Sequence, residues 1–143
     1  MFAECKEKYK VSEESLRKLA ELDDYVIEHF RLAFGNRIVK QLQDFVPAYV
    51  GCGGTEIDGL DFVLCHKILR KFESLNLSFI RDEIAGLITY LNKHFGKSNM
   101  SESKEYLERL QKMIWFYIIY TFVYASALRR RHMQATLNLR GET

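Results

Sequence analysis

The sequence predicts an all-α fold: a single helical bundle of about five helices whose last helix is long and apolar. Three observations point there. Apolar residues recur at three- and four-residue spacing along most of the chain, and no stretch shows the alternation of a half-buried strand. One proline and eight glycines among 143 residues leave few helix breakers. Capping residues and glycine stops fall at the ends of the periodic segments.

The first helix is expected to begin at Ser12, a good N-cap, with Glu13 and Glu14 in the turn where the macrodipole favours acids. Leu16, Leu19, Val26, Ile27 and Phe30 form its stripe, interrupted by Asp23, and it runs to about Ala33 before Gly35. The second starts near Asn36 and turns Ile38, Leu42, Phe45, Val46 and Tyr49 to one face. Pro47 lies inside it and removes the hydrogen bond to the Gln43 carbonyl, so a kink or an early end is expected. This second helix is expected at the centre of the bundle. After the loop Gly51-Cys52-Gly53-Gly54, a third helix opens at Thr55, with Asp58 completing a variant capping box, and carries Ile57, Leu60, Leu64, Ile68 and Phe72 inward. A fourth covers residues 78–95, with Ile80, Ile84, Leu87, Ile88 and Leu91 inward and Gly96 as its stop. The fifth starts at Ser101 and continues through Tyr106, Leu107 and Leu110 into the tail. Short connections between such helices imply antiparallel neighbours.

Composition is that of a globular chain, 48% hydrophobic and 28% charged. The net charge of +2 divides unevenly: residues 1–112 carry 17 Lys/Arg against 18 Asp/Glu, and residues 113–143 carry four against one. The body therefore lacks the basic excess of a nucleic-acid binder, and the positive charge sits in the tail. Cys5, Cys52 and Cys65 form no Cys-x-x-Cys pair, which argues against a zinc site and for free thiols in a reducing compartment. The charged first ten residues predict no signal peptide, and a cytoplasmic location follows.

No enzyme constellation emerges. His29, His66, His94 and His132 lack metal-ligand spacing, and adjacent acids such as Asp23-Asp24 or Asp82-Glu83 point about 100° apart on a helix. The glycine loop at residues 51–54 precedes a helix but lacks the Lys-Ser/Thr of a phosphate loop, so it reads as a connector. The candidate site residue is Arg37. It falls in the first turn of a helix behind Gly35, where a cation is slightly disfavoured but where it and the helix N-terminus together suit a phosphate. No metal ligand and no catalytic residue is assigned.

Three blocks carry a family resemblance: Phe34-Gly35-Asn36-Arg37-Ile38-Val39-Lys40-Gln41, Phe45-Val46-Pro47-Ala48-Tyr49-Val50, and Leu60-Asp61-Phe62-Val63 leading to His66-Lys67-Ile68-Leu69-Arg70-Lys71-Phe72. From about Val11 to Met113 the chain resembles the C-terminal helical lid of McrB-like AAA+ NTPases, the motor subunits of modification-dependent restriction systems. The resemblance divides the chain into an N-terminal connecting helix (residues 1–33), a lid-like body (34–113) and a tail outside it (114–143). It implies that Arg37 is a sensor-like contact to a nucleotide phosphate in a parent assembly, where ATP or GTP with Mg would be bound. The implied partners are an AAA+ core, other ring subunits and a nuclease subunit, with no direct nucleic-acid contact from this chain. Because the Walker A lysine and Walker B acids of that family are missing, the chain reads as a detached or truncated lid, with no cofactor and no turnover of its own. The alternative is a small helical protein-interaction module without nucleotide, membrane-associated in one version through its C-terminal segment.

That segment, residues 113–128, holds 16 consecutive uncharged residues rich in Trp, Phe and Tyr and is followed by Arg129-Arg130-Arg131. It spans about 24 Å as a helix, short of the roughly 20 residues that a bilayer core needs. Three explanations compete: the last core helix folded back along the body, which is preferred; a read-through tail foreign to the fold; or a membrane-associated segment.

Overall fold

The computed structural model describes residues 2–141, so Met1, Glu142 and Thr143, the last two of the tail, lie outside the described residues. The protein is all-helical, and no strand occurs among the described residues. The order is α1 (Phe2–Lys8), α2 (Glu13–Phe30), α3 (Asn36–Gly51), α4 (Glu56–Val63), a π turn (Leu64–Ile68), a 3-10 segment (Leu69–Ser74), α5 (Leu77–Phe95) and α6 (Ser101–Gly141). Among the described residues, six α-helices thus replace the expected five. The addition is α1, whose seven residues, four of them charged, are too few to show a period; it packs on α3, where Lys6 pairs with Asp44. So short a helix depends on its neighbour.

Most expected ends hold. The Ser12 hydroxyl accepts the Ser15 N–H at 3.2 Å, and Thr55 Oγ1 accepts the Asp58 N–H at 3.1 Å. Gly35 and Gly96 take φ of 77° and 96°, the left-handed region that favours glycine. Helix α2 ends three residues early, at Phe30, because Arg31 turns left-handed and its N–H closes on the Ile27 carbonyl. Asp23, the acid that breaks the α2 stripe, accepts the Phe34 N–H at 2.8 Å and pins the connection to α3. Pro47 does not end α3, which continues to Gly51; the buried ring contributes packing that opposes the lost hydrogen bond.

The centre of the bundle is residues 56–74 rather than α3. They lie between α3 and α6 and bury Leu60, Val63, Leu64, Ile68, Leu69 and Phe72. At a uniform 100° per residue, Leu69 and Phe72 would point about 180° and 120° away from Leu60. The wider π turn between them reduces the angular step and returns both to the core, which is why a single α-helix is not continued here.

Helix α2 packs on α5 through a ladder of rings, with Tyr25 4.4 Å from Tyr90 and the His29 Nδ1 2.6 Å from the Glu83 carboxylate. Helix α6 runs back along α5 from a tight turn at residues 96–100. It buries Leu107, Leu110 and Ile114, and Ile118 packs at the edge of the core.

From Trp115 onward, Ile118 apart, the expectation of a core helix fails. Trp115 is 48% exposed, Phe116 77% and Ile119 53%. The physical reason is length. Helix α6 has 41 residues and α5 has 19, so about 33 Å of α6 has no antiparallel neighbour to lie on. Despite its apolar stretch, no helix among the described residues is long and apolar enough to cross a membrane.

Candidate functional site

Three features outside the core combine placement with chemistry. The first is the start of α3. Gly35 stands at the N-cap position and has no side chain to cap with, so the first turn is bare. Arg37 is the second residue of the helix, exposed, with no hydrogen bond or ion pair among the described residues. Val39, two residues on, is also exposed and lines a groove of about 280 Å³ between α2 and α3.

The second is the free part of α6. Met113, Trp115, Phe116, Tyr117, Ile119, Tyr120, Phe122, Val123 and Tyr124 are all exposed, and they surround the helix rather than forming one stripe. Thr121 and Ser126 do little to make this surface polar. The Thr121 hydroxyl donates to the Tyr117 and Ile118 carbonyls at 2.9 Å, and Ser126 to the Val123 carbonyl at 2.8 Å. The apolar section begins where the Arg81 guanidinium lies over the Trp115 ring at 4.2 Å and ends at Arg129 and Arg130, which border a shallow groove with Phe122 and Met133.

The third lies where α6 begins. Asp61 of α4 is buried and accepts the N–H groups of Glu102 and Ser103 at 2.8 and 2.9 Å, capping α6 from another helix. Lys104 does the converse for α5: its ammonium donates to the Gly96 and Lys97 carbonyls at 2.8 and 3.1 Å, where the macrodipole favours a cation. Burial lowers the Lys104 pKa, with Asp61 opposing the shift. This double cap fixes Glu102 beside the π turn. There the Cys65 Sγ, a His66 ring nitrogen and a Glu102 carboxylate oxygen all lie within 4.8 Å of one another. Cys65 is buried, and its thiol donates to the Glu102 carbonyl at 3.8 Å. Burial pushes that thiol's pKa up, aided by the negative charges of Asp61 and Glu102. His66 is held by the Phe62 ring, 4.3 Å away.

Comparison with protein-family models, curated proteins and solved structures found no match.

Of these features, Arg37 and the aromatic run of α6 are visible in the sequence, and the structure does not bring them together in a described contact. The grouping of Cys65 and His66 with Glu102 is not visible, because 36 residues separate Glu102 from His66. The one signal was the adjacent Cys-His pair itself. The other grouping that sequence spacing hides is Glu56 of α4, which accepts from the Ser12 N–H at 3.3 Å, the Ser12 hydroxyl at 2.7 Å and the Ser15 hydroxyl. Burial alone would raise the Glu56 pKa, but these hydrogen bonds outweigh it and hold the carboxyl below its ordinary value.

Proposed function

We propose that this chain is a non-catalytic component of a larger cytoplasmic assembly and joins its partner through the apolar section of α6. The observation that carries the reading is the ring of exposed aromatic and aliphatic side chains on residues 113–124, with the Thr121 and Ser126 hydroxyls turned back onto the helix. A helix apolar on all sides is one that is buried in use. Contiguous apolar surface of this kind marks an interaction site. The partner it fits is a set of helices that encloses α6 on more than one side and places acidic residues against Arg129, Arg130 and Arg131. Sedimentation of the full chain tests this. Association that grows with concentration and disappears in the pair Phe116→Glu and Tyr120→Glu, with helicity retained, is the expected result. A monomer at high micromolar concentration would exclude further copies of this chain as the partner, and flotation with liposomes would transfer the reading to a membrane surface.

A second reading is favoured by the bare start of α3 with Arg37 exposed and unengaged. On it the component is the lid of a McrB-like AAA+ motor, as the resemblance implies, and Arg37 awaits a nucleotide phosphate held by another subunit. ATP or GTP with Mg, an AAA+ core and a nuclease subunit belong to that parent assembly. The test is reconstitution with a matching NTPase core, in which Arg37→Ala lowers hydrolysis without changing the circular dichroism spectrum. Unchanged hydrolysis would exclude Arg37 from the mechanism.

A further inference from the structure

We infer that Cys65, His66 and Glu102 form a binding site for a divalent transition-metal ion of the zinc class, at the junction of the π turn and the start of α6. The donor set is the first argument. A thiolate, an imidazole and a carboxylate are the ligand types that zinc accepts, and a borderline-soft ion is the one that uses all three together. Magnesium or calcium would call for oxygen ligands alone.

Geometry is the second. Tetrahedral bonds of 2.0–2.3 Å separate neighbouring ligand atoms by about 3.5 Å. The His66 Nε2 and a Glu102 carboxylate oxygen are 3.6 Å apart, too long for a hydrogen bond and close to that separation. The three donor atoms lie within 4.8 Å of one another, so closure needs movements of about 1 Å, which the exposed side chains of His66 and Glu102 allow. Adjacent residues of an α-helix diverge by about 100°, but Cys65 and His66 sit in the π turn, where the step is smaller and both reach the same side.

The supporting residues are the third. Glu102 is fixed by its backbone N–H on the buried Asp61, and the His66 ring is held by Phe62. Buried Cys65 supplies the inner wall, and the outer side, formed by His66 and Glu102, is open to solvent. Three protein ligands leave a fourth tetrahedral position for water. Binding replaces the proton of Cys65 by the metal, with the proton passing to solvent. No redox change is involved.

Cobalt(II) and zinc(II) titrations of the reduced full-length protein test the site. Expected are one ion per chain, a sulfur-to-cobalt charge-transfer band in the near ultraviolet, and displacement of cobalt by zinc. Cys65→Ser should abolish the band, and His66→Ala and Glu102→Gln should each weaken zinc binding at least tenfold. The Glu102→Gln substitution leaves the backbone N–H to Asp61 in place, so a loss there is not a loss of the cap. Zinc should raise the melting temperature of the wild type more than that of His66→Ala. A band that persists in Cys65→Ser but vanishes in Cys5→Ser or Cys52→Ser would overturn the assignment. So would affinities for His66→Ala and Glu102→Gln within a factor of three of the wild type.

Discussion

The Asp61 carboxylate accepts the backbone N–H of Ser103 at 2.9 Å, joining α4 to the first turn of α6 across 42 residues of chain. Its second oxygen takes the N–H of Glu102, and the Ser103 hydroxyl donates to the first. Asp61 and Ser103 are both buried, so water is poorly placed to substitute for the carboxylate if it is removed.

Asp61→Ala should therefore cost about 2–3 kcal/mol, the loss of an N-cap together with donors left unsatisfied in the interior. For a chain of this size, that lowers the melting temperature by about 5–10 °C. Asp61→Asn keeps one acceptor and should fall between Ala and the wild type. Thermal melts followed at 222 nm check it, and an unchanged midpoint in Asp61→Ala would refute the role.

Gly86 faces Tyr25 where α2 meets α5, and a Cβ there would stand 2.9 Å from the tyrosine hydroxyl oxygen. Two effects oppose each other in Gly86→Ala. Helix propensity gains about 1 kcal/mol, and overpacking costs about 1–3. The Tyr25 ring is held between His29 and Tyr90, so it yields poorly and net destabilisation is expected. Adding Tyr25→Phe removes the clashing atom, and Gly86→Ala in that background should stabilise the protein. Urea unfolding of the four members of this cycle reads both signs.

Glu56 makes stability depend on pH on the acid side. Its folded pKa lies below the ordinary 4.5, so its contribution is present above that value and is lost as pH falls through the folded pKa. Glu56→Gln should destabilise the protein at pH 7, and the deficit should shrink below about pH 4.5. Urea midpoints at neutral and acid pH measure this; a deficit independent of pH would assign the effect to packing alone.

Ile114 and Phe116 lie two residues apart on α6 and should respond oppositely to truncation. Ile114 is 1% exposed, and Ile114→Ala should cost about 2–4 kcal/mol. Phe116 packs against little, so Phe116→Ala should leave the melting temperature unchanged and improve solubility. A chain ending after Ile118 should still unfold cooperatively, because the residues beyond it contribute nothing to the core. Loss of cooperativity there would mean that the outer part of α6 stabilises the body.

Helix class and most helix ends are local properties, and residues 12–110 show them plainly. Ser12, Thr55, Gly35 and Gly96 act within a turn or two of their own positions, through caps and backbone conformation that neighbouring residues specify. In the expected stripe of Leu16, Leu19, Val26, Ile27 and Phe30, spacing likewise finds the buried Leu19, Val26 and Phe30, whereas Leu16 is half-buried and Ile27 is 40% exposed. Helix α1 was missed because its formation depends on α3, and the π turn because it arises from the need to return Leu69 and Phe72 to a core already set by Leu60 and Leu64.

Residue by residue, then, the chemistry of the chain was legible: an arginine behind a glycine at Arg37, and an uncharged aromatic run closed by three arginines. Folding sets where these meet their surroundings. The aromatic run reads as core in one dimension, since it is as apolar as any buried helix. It lies outside because α5, with 19 residues, is less than half as long as α6, with 41, a fact about lengths of neighbours rather than about the run itself. Cys65, His66 and Glu102 converge for the same kind of reason: Asp61 draws the start of α6 onto the π turn, and a contact across 41 residues leaves no periodic trace in the sequence.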